Sequence, residues 1–433
     1  MFGSVPITPK TLDSYRPVVG DERIDEILAL AAPLRDARVL HVNATAFGGG
    51  VAEILATLTP LMQDVGLAAD WQVIRGAEEF FHVTKAMHNS LQGMFIEWTP
   101  SMREIWLRYN QINADLFDED YDFVVIHDPQ PAAILGLKAQ ATGRPHGRWV
   151  WRCHIDLTEA QPDIWDIVRP YVSQYDAAIF TLEDYVKEDL AGPQIYTVPP
   201  AIDPLSTKNA DLPEDTVRAI LTRYTVDPDR PLILQVSRFD PWKDPLGVID
   251  VYRACKQEVP DLQLVLVASM AHDDPEGWAW YERTVRRAGE DYDIHILSNL
   301  NGVGNVEVNA FQRSADVVIQ KSVREGFGLV VSEALWKGRP VVAGNVGGIP
   351  MQIVYGRTGY LVNTTEECAN RVLYLLKNPK TADRMGAAGR EHVREHFLIT
   401  RYLRDYLSIF QAVSGAGGAR EAVPVRAHTT QER

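Results

Sequence analysis

Two glutamates stand eight positions apart in the segment Glu325-Gly-Phe-Gly-Leu-Val-Val-Ser-Glu333. The apolar periodicity that begins at Leu329 predicts a helix from there, so Glu325 precedes it and Glu333 lies about one turn inside. The amides of Gly326, Phe327, Gly328 and Leu329 then stand at a helix N-terminus. Unpaired donors and the helix dipole there favour a sugar hydroxyl or a phosphate. Both carboxylates can accept hydrogen bonds from hydroxyls. Taken singly, Glu325 also reads as a capping group and Glu333 as a helix-surface charge. A second glycine turn, Asn345-Val-Gly-Gly-Ile-Pro350, follows and is expected to face the same space.

A pair of cations precedes these carboxylates. Arg238 and Lys243 are five residues apart in Val236-Ser-Arg-Phe-Asp-Pro-Trp-Lys243, separated by a proline-containing turn. A forked guanidinium and a compact ammonium can grip one diphosphate together. At ~4 Å and an effective dielectric near 20, each unit-charge contact is worth roughly 4 kcal/mol before desolvation, which could replace a metal ion on a leaving group. By composition alone the same residues also describe a solvated loop.

Near the N-terminus, Asn43-Ala-Thr-Ala-Phe-Gly-Gly-Gly-Val-Ala-Glu53 ends a strand, inserts Gly48, Gly49 and Gly50, and opens a helix. Anion binding and a plain tight turn are both open readings. The third glycine of a dinucleotide fingerprint is missing, since Glu53 stands there. Two strand ends carry further polar groups: His127-Asp128-Pro-Gln130 and Arg152-Cys-His154-Ile-Asp156. His154 and Asp156 form no metal set and no nucleophilic triad, because no serine, cysteine or spaced ligand accompanies them. A structural histidine is the competing reading of His154.

These residues are positioned by alternating strands and helices. Strands are predicted at Arg38–Asn43, Trp71–Arg75, Phe123–His127, Trp149–Cys153 and Ala177–Thr181 in the first half. In the second half they fall at Leu232–Ser237, Leu262–Ala268, Ile294–Leu297, Val317–Gln320 and Val341–Ala343. Continuous apolar runs such as Phe-Val-Val-Ile suit strands buried on both faces of a parallel sheet. Helices are predicted at Val51–Val65, Trp98–Leu116, Pro245–Glu258 and Val331–Lys337. Two βα series imply an α/β chain of two doubly wound, Rossmann-like domains, with ligands expected in the cleft between them. The expected division is residues 1–205, residues 206–395, a helix over 396–413 crossing back to the first domain, and a mobile tail at 414–433.

The chain has 433 residues and a net charge of −15, which argues against nucleic acid or an anionic membrane as partner. Three cysteines, Cys153, Cys255 and Cys368, lie far apart and make no CxxC pair, as expected in a reducing compartment. No signal-peptide core and no membrane-length apolar run stands out, so the expected location is cytoplasmic.

The E-x7-E set, Ser-Arg238…Lys243-Asp-Pro and the Gly48–Gly50 loop, in that relation, resemble the retaining glycosyltransferases of family 4, which have the GT-B fold. The likeness spans about residues 38–412. His41-Val-Asn-Ala-Thr-Ala-Phe-Gly-Gly-Gly-Val-Ala-Glu-Ile-Leu, His127-Asp-Pro-Gln-Pro and Arg152-Cys-His-Ile-Asp are similar to the trehalose-forming branch of that family. The resemblance implies transfer of glucose from a nucleotide-diphosphate glucose to free glucose, giving α,α-trehalose reversibly, in a possible homodimer. It implies that Arg238 and Lys243 stabilise the departing diphosphate with amides near Gly49 and Gly50. Glu333 would hold the ribose. Glu325 and the amides of Gly326–Leu329 would hold the donor glucose. His154 would bind a sugar near the reacting carbon, and Asp128, Gln130 and Asp156 the acceptor hydroxyls. A front-face displacement is implied, with no cofactor beyond magnesium accompanying the diphosphate. Alternatives from the same fold are transfer to another acceptor and nucleotide-sugar epimerisation. From other classes, a non-catalytic sugar-nucleotide sensor would be expected to lose Arg238, Lys243 or Glu325. A nicotinamide oxidoreductase would need the missing glycine.

Overall fold

The computed structural model describes residues 3–47, 49–270 and 275–415. Gly48, and the expected tail from residue 416 onward, lie outside the described residues. The chain forms two compact units: residues up to Ala201 together with the helix Ile399–Ser414, and Ile202–Leu398.

The first unit holds a seven-stranded sheet. Its strands are β1 (Gly3–Ser4), β2 (Arg38–Asn43), β3 (Ala68–Val73), β4 (Phe123–His127), β5 (Arg148–Arg152), β6 (Ala177–Phe180) and β7 (Gln194–Thr197). Their order is β1-β3-β2-β4-β5-β6-β7, parallel except for β1. The second unit holds β8 (Leu232–Val236), β9 (Gln263–Ala268), β10 (Ile294–Ser298), β11 (Val317–Gln320), β12 (Val341–Gly344) and β13 (Gly359–Val362). Their order is β10-β9-β8-β11-β12-β13, all parallel. β4, β8, β9, β11 and β12 are buried along their whole length, which is why they read as largely apolar runs without alternation.

In each sheet the strand order reverses once, between β2 and β4 and between β8 and β11. Connections leave in opposite directions at such a point and open a crevice beyond the strands' carboxyl ends, where ligands of doubly wound sheets sit. The loops after β2, β4, β8 and β11 are therefore the ones that matter. They carry Gly49 and Gly50, Asp128 and Gln130, Arg238 and Lys243, and Glu325.

On the first sheet, alternation sorts the side chains. Leu40, Val42, Val124 and Ile126 point to one core, and Val39, Phe123, Val125 and Val150 to the other. Against that second face pack the helices Gly50–Asp64 and Ile399–Ser414, through Leu55, Leu58, Met62, Tyr402, Tyr406 and Phe410. Phe123 stacks on Phe410 with ring centroids 4.4 Å apart. The positions that continue this face along β2 and β4 are His41 and His127. Among the described residues, no helix is long and apolar enough to cross a membrane.

Candidate active site

In the second unit, Arg238 leaves β8 and Lys243 closes the short turn Pro241–Lys243. Asp240 holds that turn by accepting from the Lys243 amide at 3.1 Å. Gln235 donates to the Lys243 carbonyl at 2.7 Å, and the Val323 amide donates to the Trp242 carbonyl at 2.8 Å, which ties the turn to the loop after β11. Asp244 takes a left-handed conformation (φ 47°) and caps the helix Pro245–Lys256 through the Gly247 amide at 3.0 Å.

This bracing brings the Lys243 ammonium to 2.6 Å from Glu325 Oε2, with the two side chains only 16% and 11% exposed. Gln320 and the Ser322 hydroxyl donate to the same oxygen at 3.3 and 3.2 Å. The cation expected on a phosphate and the carboxylate expected on a sugar are thus neighbours in one network. Arg238 is 64% exposed, and its guanidinium lies 3.3 Å from Asp240. Burial pushes the Asp240 carboxyl above its usual range, against the pull of Lys243 and Arg238.

Gly328 begins the helix Leu329–Trp336 at φ +80°, in the left-handed region that glycine enters freely. Gly328 brings no side chain to cap this helix, and its carbonyl accepts from the Val331 amide at 2.9 Å. The turn at Gly347–Gly348 packs directly on it. A Cβ at Gly348 would lie 2.7 Å from the Gly326 carbonyl and 2.8 Å from Phe327 Cα. Buried Gln352 donates to the Phe327 carbonyl at 2.5 Å and accepts from Ser332 at 2.6 Å.

Glu333 is 1% exposed. Its Oε1 lies 3.0 Å from the Lys208 ammonium and its Oε2 accepts from Gln312 at 3.1 Å. Burial would raise this carboxyl, but Lys208, Lys337 and Gln312 outweigh it and hold it below its usual range. Burial takes the Lys337 ammonium down to about 7; it donates to Asn209 at 2.7 Å. Lys208 and Gln312 were not legible as site residues, because nothing local marks them and only the fold brings them to Glu333. Gln320 and Ser322 stand five and three residues before Glu325 and could have been found from that proximity.

In the first unit, Gly49 is the exposed N-cap of the helix Gly50–Asp64, with extended backbone (φ −159°) and nothing within 4 Å of where a Cβ would sit. His154 lies two residues beyond β5 and ends a line of imidazoles. His154 Nε2 is 3.0 Å from His127 Nδ1, and His127 Nε2 is 3.0 Å from His41 Nδ1. His41 Nε2 is 3.5 Å from Met62 Sδ. Burial pushes all three rings well below the usual histidine range, His41 to about 3. A sequence signal for this line existed: a histidine within the apolar strand Arg38–Asn43, and another at the end of Phe123–His127.

Asp128 sits at φ 66° and accepts the His154 amide at 2.8 Å. Burial pushes its carboxyl up to about 6, against the pull of that amide and of Arg152. Gln130 fixes its loop through its carbonyl, which accepts from Trp106 and Asn110 at 3.1 and 2.9 Å. Its Oε1 is buried with no hydrogen-bond partner among the described residues. Asp156 is turned inward on its own loop, accepting from the Thr158 amide and hydroxyl at 2.9 and 2.6 Å.

The family described as "Trehalose synthase, N-terminal domain" matches residues 41–187, and "Glycosyl transferases group 1" matches residues 218–392. The trehalose synthase of Rubrobacter xylanophilus is 53% identical over 410 residues, 94% of this chain and 98% of its own length. That of Thermococcus litoralis is 49% identical over 405 residues, 93% and 97%. Among solved structures, an α,α-trehalose-phosphate synthase (UDP-forming) from Burkholderia xenovorans, in complex with glucose-6-phosphate, superposes with a TM-score of 0.70. It has 14% identity, over 87% of this chain and all of that one. The chain belongs to the trehalose synthase family, glycosyltransferases of the GT-B fold.

Proposed function

We propose that the protein transfers glucose, with retention, from a nucleotide-diphosphate glucose to free glucose, and that the product is α,α-trehalose. The observation that carries this reading is the partly buried Lys243–Glu325 contact beside the helix start at Gly328, on the loops that flank the β8–β11 reversal. An ammonium and a carboxylate held beside a helix N-terminus suit a ligand that is phosphate at one end and polyhydroxylated at the other. Arg238, exposed on the same turn, adds the forked cation.

In this reading the donor's diphosphate meets Arg238 and Lys243, with amides near Gly49 and Gly50 assisting. Its glucose meets Glu325 and the amides of Gly326 to Leu329, and its ribose meets Glu333. The second unit supplies charge stabilisation as the C1–O bond breaks and negative charge gathers on the diphosphate. The acceptor hydroxyl arrives on the face the phosphate leaves and passes its proton to the departing phosphate oxygen. The anomeric configuration is thereby kept, and the step is reversible in principle. His154 holds a sugar hydroxyl near the reacting carbon. Asp128 and Gln130 take acceptor hydroxyls, and Asp156 does so only if its turn with Thr158 opens. We further propose a cytoplasmic homodimer that needs no cofactor, with any magnesium arriving on the diphosphate.

The test is substitution of the two cations. Arg238→Ala and Lys243→Ala are each expected to lower turnover of a nucleotide-diphosphate glucose by about 100-fold or more, the scale seen when one donor to a developing anion is lost. The thermal unfolding midpoint of Arg238→Ala should stay within a few degrees of the wild type. Near-normal turnover in both variants would remove the diphosphate role.

A further inference from the structure

The line of imidazoles in the first unit has a direction, and its buried end sets it. A neutral imidazole carries one N–H and one bare nitrogen. Three such rings joined by two contacts have two self-consistent arrangements, each the reverse of the other. At the far end, His41 Nε2 faces Met62 Sδ at 3.5 Å. A thioether has no hydrogen to give and can only accept. One arrangement puts the N–H on His41 Nε2, where the sulfur receives it. The reverse turns a bare nitrogen onto the sulfur and leaves a buried acceptor unmet, the costlier alternative.

The favoured arrangement propagates outward. His41 Nδ1 is bare and accepts from His127 Nε2–H at 3.0 Å. His127 Nδ1 is bare and accepts from His154 Nε2–H at 3.0 Å. The planes of His127 and His154 are within 13° of each other, as suits a hydrogen bond lying in both rings. Asp128 pins the His154 backbone amide at 2.8 Å, so the ring's position is set from two sides.

We propose that Met62, His41 and His127 are positioning residues that hold His154 as its Nε2–H tautomer, so that its Nδ1 is presented as a hydrogen-bond acceptor for a sugar hydroxyl. The polarity of the line is thus decided by a thioether two residues before the end of the helix Gly50–Asp64, with three rings between it and the substrate. The step to a sugar rests on the function proposed above; the polarity of the line does not. The arrangement selects groups that donate. A hydroxyl fits, whereas fluorine in its place offers no hydrogen and meets a bare nitrogen.

The experiment is long-range ¹H–¹⁵N correlation spectroscopy on the full chain labelled at histidine, at pH 7.5, assigned by single substitutions. The expected wild-type spectrum shows pyrrole-type Nε2 and pyridine-type Nδ1 for His41, His127 and His154. Met62→Leu keeps the volume and removes the acceptor, and is expected to show both tautomers of His154. Its kcat/KM should fall by about tenfold, the size of one lost hydrogen-bond preference. A proton on Nδ1 of His154 in the wild type would overturn the proposal, independently of any variant. So would a single Nε2–H tautomer surviving in Met62→Leu. A spectrum as expected in a protein that makes no trehalose would overturn the proposed function and leave the polarity of the line standing.

Discussion

Replacing Lys208 by methionine isolates the least anticipated interaction in the second unit. Glu333 is almost fully buried, and Lys208, 17% exposed, lies 3.0 Å from it. At that separation and an effective dielectric near 20, the gross attraction is about 5.5 kcal/mol, most of it offset by desolvating the two charges. Removing the lysine does not refund the desolvation of Glu333, which keeps Gln312 at 3.1 Å and the nearby Lys337 ammonium. Breaking such a pair typically costs ~3–5 kcal/mol, and the remaining partners bring the expectation to the low end, about 3 kcal/mol. Glu333→Gln removes the charge that needed a partner. The double variant Lys208→Met/Glu333→Gln should therefore be more stable than the sum of the singles by about 1–2 kcal/mol. Equilibrium urea unfolding of the three variants and the wild type closes the cycle. A loss below about 0.5 kcal/mol for Lys208→Met, or strict additivity, would refute the argument that Lys208 is the counter-charge of Glu333.

Other outcomes follow from the same geometry. Gly348→Ala drives a Cβ into the Gly326–Phe327 backbone, and is expected to cost ~1–3 kcal/mol and to raise the donor KM; unchanged denaturation and KM would show that the two glycine turns are not mutually fitted. His41 is held near 3 by burial, against about 6.5 unfolded. The unfolded chain therefore takes up a proton that the folded chain refuses. Stability from this ring is complete above pH 6.5 and is lost as pH falls from there towards 3. Between pH 6 and 4, the unfolding free energy of the wild type relative to His41→Gln should fall by about 1.4 kcal/mol per pH unit. A flat difference would contradict the buried neutral ring.

The parallel strands were legible because burial on both faces leaves a plain apolar signature. β2, β4 and β11 fall where the sequence predicts them, and the other predicted strands shift by one residue at one or both ends, except β3. Asp70 interrupts the apolar run and so delays the expected start of β3 to Trp71, yet the strand begins at Ala68 and pairs with β2 through Leu40–Asp70. β1, β7 and β13 went unread: the first is an exposed two-residue strand, the second a half-exposed edge with no apolar alternation, and the third opens with Gly359. The helix start at Leu329, with Glu325 before it and Glu333 inside it, came directly from periodicity. Partners came from elsewhere. Glu325 meets Lys243 across 82 positions, and His154 is oriented by His127 and His41 from two neighbouring strands. Only sheet order and strand parity bring these together.

The most direct measurement is the product. The purified protein is incubated with uridine-, adenosine- and guanosine-diphosphate glucose, each with and without free glucose. Released nucleotide diphosphate is quantified, and any disaccharide is tested with trehalase. The account predicts diphosphate release that requires glucose, with a trehalase-sensitive product formed in equal amount. Diphosphate released equally without glucose, or a disaccharide that resists trehalase, would contradict it.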